Sequence, residues 1–340
     1  MDIKLFDYEL PPGYIAQEPL EKRDQSKLMI LDREKGIIEH RRFYQLIDFL
    51  KTGDLLVLNN SKVLPVRLNG YKKDSGGKVD ALLISQDSDY QWKALLKPGK
   101  RIHPGVVIVF SPQLEGEVIG KDEKEGMYLV DMRAMGNFHE ILNKIGKMPT
   151  PPYIKQKLTQ SDFYQTVYAS KEGSIAAPTA GFHFTERLLK DIEIKGIKIL
   201  FLTLHIGRGT FEKMRVSQVE NHNMKSEIYT ITSENATVIN QAIKEKSRII
   251  GVGTSVTRAL ESSMDQNQVR IGTYWTNLFI YPGYQFKVIK ALITNFHLPR
   301  STPLMLASAF VGKEKLLSAY QIAIQKEYRF YSFGDAMFIV

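Results

Sequence analysis

The sequence predicts an α/β domain with a mostly parallel or mixed sheet, interrupted by an inserted small β-barrel domain. Three observations carry the prediction. Continuous apolar runs such as DLLVLNN (Asp54–Asn60) have the pattern of strands buried on both faces in a parallel sheet. From about Ser161 onward such runs alternate with amphipathic helix patterns. Between these parts, from about Pro65 to Lys147, the texture changes. Short runs rich in Val, Ile, Leu and Tyr are separated by Gly, Asp, Pro and Ser, as in a small barrel. The α/β domain is therefore discontinuous, residues 1–64 and 148–340, with the barrel at 65–147.

The elements follow in order. SKLMILD and IIEHRRF form a hairpin turning at Glu34–Gly36. YQLIDFLKTG is a short helix ending at Gly53. Six runs supply the barrel: VRLNGYK, KVDALLI, YQWKALL, VVIVF, EGEVIG and MYLVDM. ILNKIGKMPTPPYI leaves it through three prolines, a stiff exit. SDFYQTVYA reads as a helix with Ser161 as N-cap. TERLLKDIEIKG is a helix capped by Thr185 and closed by Gly196, and IKILFLTLHIG is a strand. SENATVINQAIKEKS is a helix capped by Ser233, RIIGVGTS a strand running into a helix, and KALITNFHL a strand. STPLMLASAFVG and KEKLLSAYQIAIQKEY close the pattern as helices.

Composition narrows the function. A length of 340 residues suits about two domains. Lys and Arg number 46 against 37 Asp and Glu, a formal charge of +9 that favours a polyanionic partner. The absence of cysteine excludes disulfides, thiolate nucleophiles and zinc–cysteine sites. No apolar run reaches the ~18 residues needed to cross a bilayer, and MDIKLFDYEL is not a signal peptide. A cytoplasmic location without membrane association is expected.

Four segments place a histidine or a Gly-Thr cluster where a strand should end, and ligands of α/β sheets bind at such ends. They are AAPTAGFHF (Ala176–Phe184), LHIGRGTF (Leu204–Phe211), GVGTSVTRALES (Gly251–Ser262) and TNFHLPRSTPLML (Thr294–Leu306). A fifth, NHNMKSE (Asn221–Glu227), lies in a polar stretch. Small residues such as Gly207 and Gly209 let backbone amides approach a ligand, or simply make a tight turn. Thr254 and Ser255 stand at a helix start, which offers free N–H donors to an anion or is ordinarily capped. Neutral imidazoles at His183, His205, His222 and His297 suit acid–base work near neutral pH. Arg258 and Arg300 suit a carboxylate or phosphate, or a surface ion pair. No histidine pair has metal-ligand spacing, so no metal is expected.

Together these segments, with IAQEP, GDLLVLNNSKVLPVRL, PPYI and the terminal YRFYSFGDAMFI, closely resemble the S-adenosylmethionine:tRNA ribosyltransferase-isomerases of queuosine biosynthesis. The resemblance runs from Phe6 to Ile339, in order. It implies transfer and isomerisation of the ribosyl group of S-adenosylmethionine onto 7-aminomethyl-7-deazaguanine at the wobble position of tRNA. The product is epoxyqueuosine, with release of adenine and methionine. It also implies tRNAs with GUN anticodons (Tyr, His, Asn, Asp), no cofactor beyond the co-substrate, and a monomer in preference to an oligomer.

The sulfonium acidifies the neighbouring ribose carbon, so a base is needed there, and adenine needs an acid to leave. Candidates for this proton transfer are His183, His205 and His297, expected to converge on one pocket. Candidate substrate-binding residues are Thr179, Gly181, Gly207, Gly209, Thr210, Thr254, Arg258, Asn295 and Phe296, with His222, Arg208 and Arg300 as further candidates. GVGTSVTR departs from the commoner family form VGTTSVR at Ser255, Val256 and Thr257, and Arg208 stands where relatives often have a small or apolar residue. Two other readings compete. An S-adenosylmethionine-dependent tRNA methyltransferase would yield S-adenosylhomocysteine, and a non-catalytic tRNA-binding protein would consume no co-substrate.

Overall fold

The apolar run Leu55–Asn59 is a strand buried at every position, with parallel neighbours on both sides. Both faces are covered, so it carries no polar alternation. It lies within a nine-stranded mixed sheet of a computed structural model that describes all residues except 87, 89, 124, 157–160, 208 and 210–212. In chain order the strands are β1 (Lys27–Leu31), β2 (Ile38–Arg42), β3 (Leu55–Asn59), β4 (Lys198–Leu204) and β5 (Glu227–Ile231). They continue as β6 (Ile249–Val252), β7 (Gly272–Thr276), β8 (Ala291–Asn295) and β9 (Ala336–Ile339). Their order across the sheet is β7-β5-β4-β3-β6-β8-β9-β1-β2. The neighbours β4, β3, β6 and β8 run parallel. Their carboxyl ends, at Leu204, Asn59, Val252 and Asn295, therefore share one edge.

Helices α1 (Glu186–Ile194), α2 (Ser233–Lys244), α3 (Thr254–Ser263), α4 (Thr302–Val311) and α5 (Lys313–Gln325) connect these strands. Thr185 caps α1 by accepting the Leu188 N–H at 3.2 Å. The cap of α2 is Thr232, not Ser233. Thr232 keeps extended backbone and its hydroxyl accepts the Asn235 N–H, while Ser233 is already helical. YQLIDFLKTG gives a 3-10 turn at Phe43–Gln45 and a single α-turn at Leu46–Phe49, ending short of Gly53. SDFYQTVYA is not the expected helix. Only Ser161–Tyr164 forms a 3-10 turn, and Tyr164 and Thr166 are buried two residues apart, the spacing of extended chain.

By its internal contacts the chain divides into a unit of residues 1–62, 151–171 and 177–340 and a unit of residues 63–150 with 172–176. The second holds a closed six-stranded antiparallel barrel. Its strands are Arg67–Lys72, Lys78–Gln86, Gln91–Lys97, Val107–Ser111, Leu114–Asp122 and Met127–Ala134. Alternate residues such as Val79, Ala81 and Leu83 point into its core. A helix at Phe138–Ile145, capped by Asn137, packs Phe138, Ile141 and Leu142 into the same core.

Candidate functional site

At the shared carboxyl edge of β4, β3, β6 and β8 lies a cavity with about 920 Å3 of empty space, its mouth included. It belongs wholly to the larger unit. Gly253 makes one wall possible. At φ +90° it turns β6 directly into α3, in a conformation closed to most other residues. Its own amide donates to the Ile293 carbonyl at 2.7 Å. Among the described residues no side chain caps α3, so the amides at its start, beside Gly253, Thr254 and Ser255 in the cavity wall, keep their affinity for an anion. Ser301 and Thr302, at the start of α4, line the same cavity. Ser301 Oγ is used in capping the Leu304 N–H. Phe279, Phe296 and Tyr331 supply aromatic wall.

A chain of polar groups runs back from this wall. The Thr179 hydroxyl donates to Asn295 Oδ1 at 3.0 Å. Asn295 Nδ2 donates to His183 Nε2 at 3.2 Å. That nitrogen then carries no proton, so His183 Nδ1–H donates to Ser26 Oγ at 2.7 Å. The His183 ring is stacked on Phe43, with centroids 4.9 Å apart. Its pKa falls from 6.5 to about 3, chiefly through burial and secondarily through the nearby Arg329 and Arg23. The imidazole is thus neutral at physiological pH and accepts from Asn295.

His297 lines the cavity itself. Its Nε2 is 2.7 Å from the Thr294 hydroxyl, its amide donates to Tyr320 at 2.9 Å, and its carbonyl accepts the Tyr8 hydroxyl. Burial lowers its pKa to about 3 as well. Its ring is therefore neutral at physiological pH.

A buried ion pair lines the same cavity. Arg258 Nη1 binds Glu227 Oε2, and the two side chains are only 8% and 4% exposed. Arg258 Nε also donates to the Leu278 carbonyl at 2.9 Å. Glu227 Oε1 accepts the Gly207 N–H at 2.7 Å.

Of the residues expected at the site, Thr179, Thr254, Arg258, Asn295, Phe296 and His297 line this cavity. His183, His205 and His297 do not share it. His183 lies behind Asn295 and lines a second, smaller cavity. His205 follows β4, and its amide donates to Ile228. Its Nδ1 is buried without a partner among the described residues, and burial lowers its pKa. Gly181 packs against Tyr168, where a Cβ would come within 2.0 Å of the hydroxyl. Gly209 lies beside Lys225. His222 sets its ring edge-on to Phe279 at 5.0 Å, and Arg300 pairs with Asp7. Arg208 and Thr210 lie outside the described residues. Sequence reasoning gave no role to Glu227, Met224, Phe279, Tyr331 or Ser332, all of which line the cavity. Glu227 closes the motif NHNMKSE and had a signal available in that segment.

Ligands of α/β proteins bind outside the carboxyl ends of parallel strands, and this chain is an α/β protein with its cavity at that position. It belongs to the family described as queuosine biosynthesis protein, whose match spans residues 3–339. A protein of Thermoanaerobacter sp. (strain X514), the S-adenosylmethionine:tRNA ribosyltransferase-isomerase, is 51% identical over 337 residues, 98% of either chain. The crystal structure of S-adenosylmethionine tRNA ribosyltransferase from Thermotoga maritima aligns with a TM-score of 0.56 at 35% identity. It covers 99% of this chain and 100% of that one.

Proposed function

We infer that this chain is an S-adenosylmethionine:tRNA ribosyltransferase-isomerase. It transfers and isomerises the ribosyl moiety of S-adenosylmethionine onto 7-aminomethyl-7-deazaguanine at the wobble position of tRNA. Epoxyqueuosine-tRNA forms, and adenine and methionine leave. The observation that carries the reading is the 51% identity over 98% of the chain to the relative of that name, in a chain that keeps a cavity of suitable chemistry. The uncapped start of α3 suits the co-substrate carboxylate. Phe279, Phe296 and Tyr331 suit the flat faces of adenine or the deazaguanine. His297, which lines the cavity, takes up the proton beside the sulfonium in this reading, and the Glu227–Arg258 pair braces the cavity wall. The tRNA substrates are those with GUN anticodons, for Tyr, His, Asn and Asp. The enzyme acts in the cytoplasm as a monomer, with no cofactor beyond S-adenosylmethionine.

The test is product analysis. With S-adenosylmethionine and tRNA bearing the aminomethyl-deazaguanine, adenine and methionine should appear together. Replacing His297 by Ala should cut the rate by about 10²–10⁴. Formation of S-adenosylhomocysteine without adenine would make the protein a methyltransferase instead.

A further inference from the structure

A second cavity opens behind the first, and Ser332 lines both. Two arginines from distant parts of the chain meet there. Arg23 lies in the 3-10 turn before β1, and Arg329 in the loop before β9. Arg23 is held in place by donating to the carbonyls of Gln165 at 2.5 Å and Asp162 at 2.7 Å, with its guanidinium 5.6 Å above the Phe182 ring. Arg329 donates to the Glu18 carbonyl at 3.3 Å. Among the described residues neither guanidinium is in an ion pair with a carboxylate, unlike Arg258, Arg248 and Arg300. The nearby Asp335 is engaged otherwise, accepting the amides of Lys27 and Arg329. Desolvation lowers the pKa of both arginines and outweighs the opposing carboxylates. Two half-buried cations line one cavity, each with a carboxylate nearby but none in ion-pair contact among the described residues, which leaves room for an anion from outside.

A third donor points the same way. Ser26 Oγ accepts from His183 Nδ1, as the proton order from Asn295 requires. The hydroxyl hydrogen of Ser26 is thereby left to donate into the cavity it lines.

We propose that Arg23, Arg329 and the Ser26 hydroxyl bind a backbone phosphate of the tRNA substrate, beside the nucleotide that enters the larger cavity. The proposal rests on the function inferred above. A phosphodiester presents two non-bridging oxygens, one for each guanidinium, and guanidinium–phosphate pairing is directional. The co-substrate carboxylate is the other source of such an anion, but the start of α3 already serves it inside the larger cavity. The phosphate is tied through Ser26, His183 and Asn295 to Thr179 in the cavity wall. Seating the nucleic acid thus meets the same network that shapes the reaction cavity.

The experiment compares the full-length wild-type protein with Arg23→Gln, Arg329→Gln and the corresponding Lys variants. Binding of tRNA is measured over a salt series without S-adenosylmethionine, and KM for S-adenosylmethionine is measured in turnover. Each Gln variant should weaken tRNA binding about 10-fold or more and reduce the slope of log affinity against log salt by about 0.7–0.9. KM for S-adenosylmethionine should stay unchanged, and the Lys variants should keep most of the salt slope. Arg329→Gln is the cleaner probe, because Arg23 also braces two carbonyls. Wild-type tRNA affinity and slope in Arg329→Gln would overturn the proposal. So would a raised KM for S-adenosylmethionine at unchanged tRNA affinity, which would assign the anion to the co-substrate. Adenine release by the wild type is recorded in parallel. Its absence would refute the inferred activity while the binding data still decide the phosphate site.

Discussion

Replacing His183 by Gln tests whether the buried imidazole is neutral. In the folded chain its pKa is about 3, against 6.5 for the free side chain. Between these values the unfolded state holds a proton that the folded state lacks. Stability is therefore flat above about pH 6.5 and falls as the pH drops below it, by about 1.4 kcal/mol per pH unit from this residue alone. By pH 5 the loss amounts to about 2 kcal/mol. Gln does not titrate, so the variant escapes this term, while all other titrating groups are common to both proteins. At pH 7.5 the variant should be less stable by about 1–2 kcal/mol, because it gives up the stacking on Phe43 and the bonds to Ser26 and Asn295. That gap should close near pH 5. The assay is denaturant unfolding at the two pH values, followed by helical circular dichroism. This signal reports mainly the larger unit, which holds α1 to α5. A gap of the same size at both pH values would refute the argument, since it would mean that His183 titrates alike in both states.

Two further predictions follow from the packing around the site. Thr254→Asp puts a carboxylate in the first turn of α3, where it should stabilise the helix by about 0.3–1 kcal/mol yet raise KM for S-adenosylmethionine at least severalfold by repelling its carboxylate. A thermal melt and steady-state kinetics would read these opposite signs, and an unchanged KM would remove α3 from the binding argument. Gly181→Ala brings a Cβ to 2.0 Å from the Tyr168 hydroxyl and 2.8 Å from Thr166 Cγ2, an overpacking that should cost about 1–3 kcal/mol. Adding Tyr168→Phe, which deletes a buried hydroxyl without a hydrogen-bond partner among the described residues, should recover part of that loss. Simple additivity of the two changes would show that the crowding lies elsewhere.

The fold was legible where pattern and burial coincide. DLLVLNN and KALITNFHL read as buried strands because both faces of β3 and β8 are covered. The barrel read clearly because its strands alternate inward and outward residues between turn residues. Three sheet strands gave no such signal. β5 and β7 lie at one margin of the sheet and mix Glu, Thr, Tyr and Trp. Their identity depends on pairing with each other across a separation in sequence. β9, within the terminal YRFYSFGDAMFI, is buried between β8 and β1 and depends on neighbours more than 40 and 300 residues away in the chain. SDFYQTVYA failed for the opposite reason. Its capping signal was local, but Tyr164 and Thr166 are drawn into the core at extended spacing, and tertiary burial overrides propensity.

The site divides along the same line. Each segment that ends a strand could be recognised alone, since Gly, Thr and His interrupt an apolar run wherever a sheet edge meets a ligand. What each residue does there depends on partners in other segments. His183 and Asn295 are 112 residues apart, and their bond, with Thr179 beyond it, links two motif segments in a way neither segment shows alone. Glu227 accepts from Gly207 and Arg258, so three motif segments close on one carboxylate that no single segment announces. Of the four motif histidines, His297 alone lines the cavity. A motif shared across a family thus mixes residues that meet the substrate with residues that meet each other. Only the second kind can be sorted by hydrogen bonds already present in the folded chain. The hydrogen bonds tie His183, Glu227 and Arg258 to other parts of the chain, while His297 and the start of α3 line the cavity.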